Sequence, residues 1–385
     1  MVRNKRAGNG RDEVVTGVSL VGMKSLKEIE DYIGEFGSVA RFELSYQMSA
    51  EFLAQAAPLI RDRVVSAHAC CPSTEFFPNL ASADPAVVGQ SVSDMEATLE
   101  TALEYGAEIV VLHAGYVTDL AMPSSYAARK PILSRPEFVK DIRHAEGAIC
   151  GPEYRLSPGY IPYAERAKER LVTLARRYAR EGVRLAVENL NPRVGYLFHS
   201  PEEMLELAAL DPDLWLCLDV GHLYITSFAF GFDYLEGLRT IAGSGKVASC
   251  HLHANLSGPG RYRDDHLSLD QQGFPLEEVL GIVAASGANL IVEAVEELAG
   301  NTRIVRKAVE DFIRGARPLE NAEEDHADPA VSGRHAQTEE KDSEGRARLV
   351  RRAEEATAKS GRLKQPSGAG GAEIEQKAGT GRGAL

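Results

Sequence analysis

The sequence predicts an α/β fold: a (β/α)8 TIM barrel with a long loop after its fourth strand and a disordered C-terminal tail. Short β-branched or apolar runs alternate with segments of helical period from about residue 17 to 316, the pattern of βα units around a parallel sheet. Eight such runs are present, and about 300 residues suits an eightfold repeat closed into a barrel. No G-x-G-x-x-G follows the first run, which weighs against a doubly wound open sheet.

The expected strands are GVSLVG (17–22), VARFELS (39–45), RVVSAH (63–68), EIVVLH (108–113), VRLAVE (183–188), LWLCLD (214–219), KVASCHLH (246–253) and NLIVE, which ends at Glu293. Each is short and rich in the side chains that pack on a pleated surface. Between them lie helical segments such as SLKEIEDYIGEFG, SVSDMEATLETALEYG, YAERAKERLVTLARRYAREG, SPEEMLELAAL and PLEEVLGIVAASG. Their Ser or Pro openings and Gly closings match helix caps.

Two stretches break the rhythm. Residues 114–160 are rich in Pro, Gly, Tyr and basic side chains, and so long a connection inside a domain is usually a functional lid. Its Arg129, Lys130, Arg135, Lys140 and Arg143 could grip a nucleic-acid duplex or simply form a solvated lid surface. Residues 317–385 are dominated by Glu, Lys, Arg, Ala, Gly and Ser. Such a tail lacks the apolar surface to offset chain entropy, so disorder is predicted, with a transient helix near RARLVRRAEEATAK. The domains are then a flexible segment at 1–16, a catalytic barrel at 17–316 and the tail at 317–385.

The chain of 385 residues is 44% hydrophobic with a formal charge of −13 and a pI near 5.4. That balance disfavours nucleic acid as partner without excluding a local basic groove. Cys70, Cys71, Cys150, Cys217 and Cys250 form no C-x-x-C, so neither a disulfide framework nor a thiolate zinc knuckle is indicated. No signal-type segment or membrane-length run occurs, and the expectation is a soluble, cytoplasmic protein. Nothing in the sequence fixes the oligomeric state.

Barrel chemistry sits at the carboxyl ends of the strands. Here the third strand ends on His68, the fourth on His113, the fifth on Glu188, the sixth on Asp219, the seventh on His251 and His253, and the eighth on Glu293. Residues two apart share a strand face, so His251 and His253 point the same way. His222 in LDVGH, and Asp264 and His266 in RDDH, follow just beyond strand ends. A lone His or Glu at such a place is more often a paired structural residue. The whole set on one face would suffer repulsion and desolvation unless a cation compensated, which predicts a divalent metal. Mixed imidazoles and carboxylates suit Zn or Mn best, with Co, Fe or Mg as substitutes.

The motifs SAHACCP with NLAS, VVLHAG, LAVENL, CLDVGH, CHLHAN, RDDH and LIVEA resemble those of the xylose isomerase-like TIM barrels, which include sugar phosphate isomerases and epimerases and, as a relative, endonuclease IV. The resemblance spans about residues 17 to 316 and implies Glu188, Asp219, His251 and Glu293 as primary metal ligands. Endonuclease IV-like members add the positions of His68, His113, His222, Asp264 and His266, enough for up to three ions. Two departures concern substrate contact: Ala254 stands where the isomerase pattern has Asp after His-x-His, and DQQG keeps only Gly273 of the usual Gly-Glu-Gly.

Two chemistries follow. In the favoured one, a metal-dependent isomerase or epimerase acts on a sugar or sugar phosphate, with Glu188 and Glu293 moving a proton through an enediolate. His253, Asn255, Arg261 and Arg263 are assigned to the substrate side; His253 could instead support a ligand, and Lys246 could position hydroxyls. The loop GPGRYR, after the seventh strand, is a candidate phosphate cradle. In the alternative, a zinc phosphodiesterase of endonuclease IV type acts on abasic DNA, favoured by the complete ligand set and opposed by the acidic balance. A non-catalytic barrel working through its tail is the remaining class.

Overall fold

The computed structural model of the chain describes residues 14–315. Of the two units 1–318 and 319–385, the second falls wholly outside the described residues, as do the tail expectations and nearly all of the 1–16 segment. That segment gives up one residue to the barrel, since the first strand begins at Thr16 and pairs there with Leu290.

Among the described residues ten strands run β1 (Thr16–Ser19), β2 (Phe42–Leu44), β3 (Val64–His68), β4 (Phe76–Phe77), β5 (Ile109–Leu112), β6 (Met122–Pro123), β7 (Arg184–Glu188), β8 (Leu214–Asp219), β9 (Val247–Leu252) and β10 (Asn289–Val292). Eight of them close a parallel barrel in the order β1-β2-β3-β5-β7-β8-β9-β10, with β10 pairing back onto β1. The eightfold expectation holds. β4 and β6 form a separate antiparallel pair, Phe76 opposite Pro123 and Phe77 opposite Met122.

Helices α1 (Leu26–Phe36), α2 (Ala50–Ile60), α3 (Pro85–Tyr105), α4 (Tyr126–Leu133), α5 (Pro136–Val139), α6 (Ile161–Arg180), α7 (Pro201–Leu210), α8 (Val220–Phe230), α9 (Tyr234–Ala242), α10 (Leu276–Ser286) and α11 (Leu298–Gly315) complete the described chain. Local chemistry sets their starts: Ser25 with Glu28, and Ser200 with Glu203, form capping boxes on α1 and α7. Asp84 followed by Pro85 opens α3, and Gly106 at φ 72° closes it.

Strand alternation splits the core in two. Val110, Leu112, Leu185, Val187, Leu216, Leu218 and Leu252 join the large cluster that includes buried helix residues, whereas Ile109, Val111, Ala186 and Cys217 form a small cluster of their own. The second set shares parity with His113, Glu188 and Asp219, so the ligand side chains continue the inner face of each strand. At the amino end of the strands Trp215 lies under two cations, with Arg184 5.4 Å and Lys246 4.9 Å from its ring centroid. Lys246 immediately precedes β9 and bonds to the carbonyls of Asp211 and Pro212. It therefore lies at the end opposite the mouth and positions no substrate hydroxyl.

The 114–160 excursion is not structureless. It holds β6, α4, α5 and 3-10 turns at Glu146–Ala148 and Tyr154–Leu156. It docks through bridges such as Tyr116 to Tyr196 and Ile149 to Arg193.

Candidate functional site

His68, Glu188 and Asp219 are the last residues of β3, β7 and β8. His113 and Glu293 stand one residue past β5 and β10, His251 is in β9, and His253 lies one residue past its end. All meet at the carboxyl mouth, joined by His222 from the first turn of α8 and by Asp264 and His266 from the loop after β9.

The side chains fall into three groups, each with ligand atoms within 4.8 Å of one another: His68, His113 and Glu188; Glu188, Asp219, His251 and Glu293; and His222, His253, Asp264 and His266. Glu188 is the hinge between the first two. Its Oε2 lies 3.1 Å from Nε2 of both His68 and His113, and its Oε1 is 3.4 Å from Nδ1 of His222 and of His251. Glu293 Oε2 is 3.3 Å from His251 Nδ1. His253, expected on the substrate side, is fully buried with Nε2 3.1 Å from Asp219 and its ring stacked 3.8 Å from His266.

The local backbone is built to hold these positions. Asn189 brackets Asp219, donating to its carbonyl and accepting from its N–H, both at 2.9 Å. Asp219 caps α8 by accepting from His222 N–H at 2.6 Å. Gly221 of DVGH has a packing reason: a Cβ there would come within 2.2 Å of the His253 ring. Asn191 donates to Asp264 Oδ2 at 2.8 Å. His266 sits at φ 49°, uncommon for a residue with a side chain, and is held by Asn255 Oδ1 on its N–H and by the Glu293 carbonyl on its Nδ1.

The electrostatics fit a cation centre. Burial raises the Glu188 and Asp264 carboxyls, but His251 and His113 around Glu188, and His222 and His266 around Asp264, outweigh it and hold both well below the usual range. Glu293 is likewise brought down to about 2, burial opposing and His251 prevailing. Burial lowers the imidazoles, yet Asp219 and Asp264 carry His222 well above its ordinary value, and Asp264 carries His266 to about 10. His113 goes the other way, lowered by burial. Protons on imidazole thus neutralise the carboxylates, a part a dication would take over with proton release. His113 Nδ1, His251 Nδ1, His253 Nδ1 and Asp264 Oδ1 are buried without hydrogen-bond partners, which calls for an explanation such as an ion. The residues present fit a divalent metal by donor type, charge and unmet polar atoms.

Above this floor opens a cavity of about 550 Å³. Sequence reasoning missed much of its lining: Tyr46, Phe77, Tyr196 and Tyr262, with Arg193 after β7; of the basic residues named in the excursion, Arg129 on α4 joins them. Arg129 lies over the Phe77 ring at 4.8 Å. None of these belongs to a periodic motif; the one usable signal was the basic and aromatic content of the excursion. Of the expected substrate residues, Arg263 lines the cavity and also pairs with Asp265 at 3.0 Å. Arg261 is exposed and outside the lining. Asn255 commits its amide to Gly221 O, Asp265 N and His266 N, so it holds the loop rather than a ligand. The GPGRYR turn closes on itself, Gly258 and Arg261 exchanging backbone hydrogen bonds at 2.9 Å. Those two amides are used up within the turn.

A (β/α)8 barrel whose strand ends converge on imidazoles and carboxylates defines the class of the fold and its site. The model of the xylose isomerase-like TIM barrel family matches residues 34–315, and the chain belongs to that family. Solved structures share the fold. A D-tagatose 3-epimerase-like protein is 20% identical, with TM-score 0.56 over 79% of this chain and 100% of its own. An L-ribulose 3-epimerase is 15% identical, with TM-score 0.54 over 81% and 99%. The 3-keto-D-glucoside 4-epimerase from E. coli is 14% identical, with TM-score 0.52 over 77% and 99%. No curated protein sequence matches the chain. Among the described residues no helix is long and apolar enough to cross a membrane.

Proposed function

We propose that the chain is a divalent-metal-dependent isomerase or epimerase of a sugar or sugar phosphate. The observation that carries this reading is the convergence of Glu188 and Glu293, from different strands, on the same edge of His251 beneath an open cavity. The names of the solved relatives, sugar epimerases in each case, are of the same kind.

Glu188, Asp219, His251 and Glu293 would hold the principal ion, and the two flanking groups could hold others. A bound divalent ion, Zn or Mn by donor type, supplies Lewis acidity that makes a proton next to a carbonyl easier to remove. The chain's own part is proton transfer: one carboxylate takes the carbon-bound proton, and a proton returns from the same or the opposite carboxylate to give the isomer or epimer. Glu293 is the freer of the two, because both oxygens of Glu188 face imidazoles. Tyr46, Phe77, Leu190 and Tyr196 give the cavity an apolar and aromatic wall. Five free, buried cysteines are consistent with a reducing, cytoplasmic setting.

One observation favours a second reading, metal-dependent phosphodiester hydrolysis: three donor groups stand side by side and two of them share Glu188, the arrangement suited to clustered ions. A parallel assay separates the two. The isomerase reading requires exchange of a carbon-bound hydrogen when sugars and sugar phosphates are incubated with metal-loaded protein in deuterated water. Nicking of abasic duplex DNA without any such exchange would replace it with the hydrolytic one.

A further inference from the structure

We infer that Glu43, which lies outside every motif of the site, is a positioning residue that fixes His251 with Nδ1 toward the metal; the inference rests on the metal reading above. Glu43 lies in β2 and His251 in β9, and both are fully buried. β1 and β10 stand between these strands in the wall, so the contact crosses the barrel interior. Glu43 Oε1 lies 3.1 Å and Oε2 3.3 Å from His251 Nε2. Ser66 Oγ donates to Oε2 at 2.8 Å, brought opposite Glu43 by a break in register between Phe42 and Glu43.

An ionised carboxylate at the centre of a barrel is unfavourable unless it has a partner. His251 supplies one, and the geometry fixes what the imidazole can then do. With its Nε2–H given to Glu43, the ring turns Nδ1 toward Glu188 and Glu293, 3.4 and 3.3 Å away, the atom that would offer its lone pair to an ion held among them. A carboxylate behind a ligating imidazole sets the tautomer, fixes the ring and strengthens it as a donor. Ser66 fixes the carboxylate in turn.

The test uses the full chain and Zn2+ alone as probe, with affinity read by chelator competition. Glu43→Gln keeps the shape and removes the charge; it should weaken the tightest Zn2+ site roughly ten- to a hundredfold while the melting temperature of the metal-free chain stays close to wild type. Ser66→Ala should weaken it less. Nitrogen-15 NMR of imidazole-labelled, Zn2+-loaded wild type supplies a readout independent of any variant's folding, and His251 should carry its proton on Nε2. A proton on Nδ1 there, or wild-type Zn2+ affinity in Glu43→Gln, overturns the role of Glu43 alone. No Zn2+ binding by the wild type overturns this inference and the metal reading together.

Discussion

The floor of the cavity and the excursion above it are made by different rules. On the floor, most candidate ligands are terminal or near-terminal residues of a strand, so their direction is set by the two-residue alternation of the strand, while His222 comes from the first turn of α8 and Asp264 and His266 from the loop after β9. In the 114–160 excursion no strand alternation governs direction: on the short helix α4, Arg129 reaches the cavity while its neighbour Lys130 is exposed. The floor is therefore crowded with charge, and the excursion, built of short helices, turns and a two-residue strand, contributes single side chains. Substitutions on the two sides should differ in kind: floor variants lose metal, excursion variants lose substrate affinity.

The largest effect is expected from Glu188→Ala. Because Glu188 belongs to two of the three donor groups, its removal should abolish tight metal at both and lower hydrogen exchange by about a thousandfold or more, the scale on which loss of a proton carrier is felt. Metal analysis that finds the stoichiometry of the wild type in this variant would refute the floor as a metal site. Gly221→Ala should act on the same floor from beneath, because the added Cβ collides with His253 and must move it from Asp219. Metal affinity falling by about tenfold or more with helix content intact is the expected result, and unchanged affinity would separate His253 from the ligand set.

Arg129→Ala tests the other side. Arg129 lies over Phe77, hydrogen-bonds Tyr116 Oη at 3.4 Å and borders the cavity, while belonging to no donor group. The expected outcome is a KM raised about tenfold, with kcat and metal content nearly unchanged, as when uniform binding is lost. A fall in metal content instead would erase the distinction between floor and excursion.

How much could be read beforehand follows the same division. Strand ends and the DVGH and RDDH loops announced their ligands because parity and position suffice there. Glu43 was legible in principle: a carboxylate between Phe42 and Leu44 in VARFELS is anomalous for a buried strand. Its meaning needed a contact across the barrel, to a residue 208 positions away in sequence. Arg261 was misplaced for the converse reason. Nearness in sequence to His251 and Asp264 said nothing of a loop tip that turns outward, and only tertiary packing decides which basic residue of a loop faces a cavity.

The smallest effect concerns the joint where the two regions meet. The His199 ring sits among Tyr154 and Tyr160 from the end of the excursion and Phe230 of α8, with centroids 6.3 to 6.4 Å apart. It is 1% exposed, and its Nε2 has no hydrogen-bond partner. Burial therefore holds the imidazole neutral, its pKa lowered from 6.5 to about 4. Below pH 6.5 the unfolded chain binds a proton that the folded chain refuses until about pH 4, so this residue's share of stability is complete above that window and is lost as pH falls through it. The full loss amounts to about 3 kcal/mol, only part of it by pH 5. Replacing His199 with Phe removes the titration, so melting temperatures measured at pH 7 and pH 5 should fall less in the variant than in wild type, by a few degrees. Equal falls in both proteins would mean that the joint admits a charged imidazole, and that the excursion is held to the floor less tightly than its buried aromatic contacts imply.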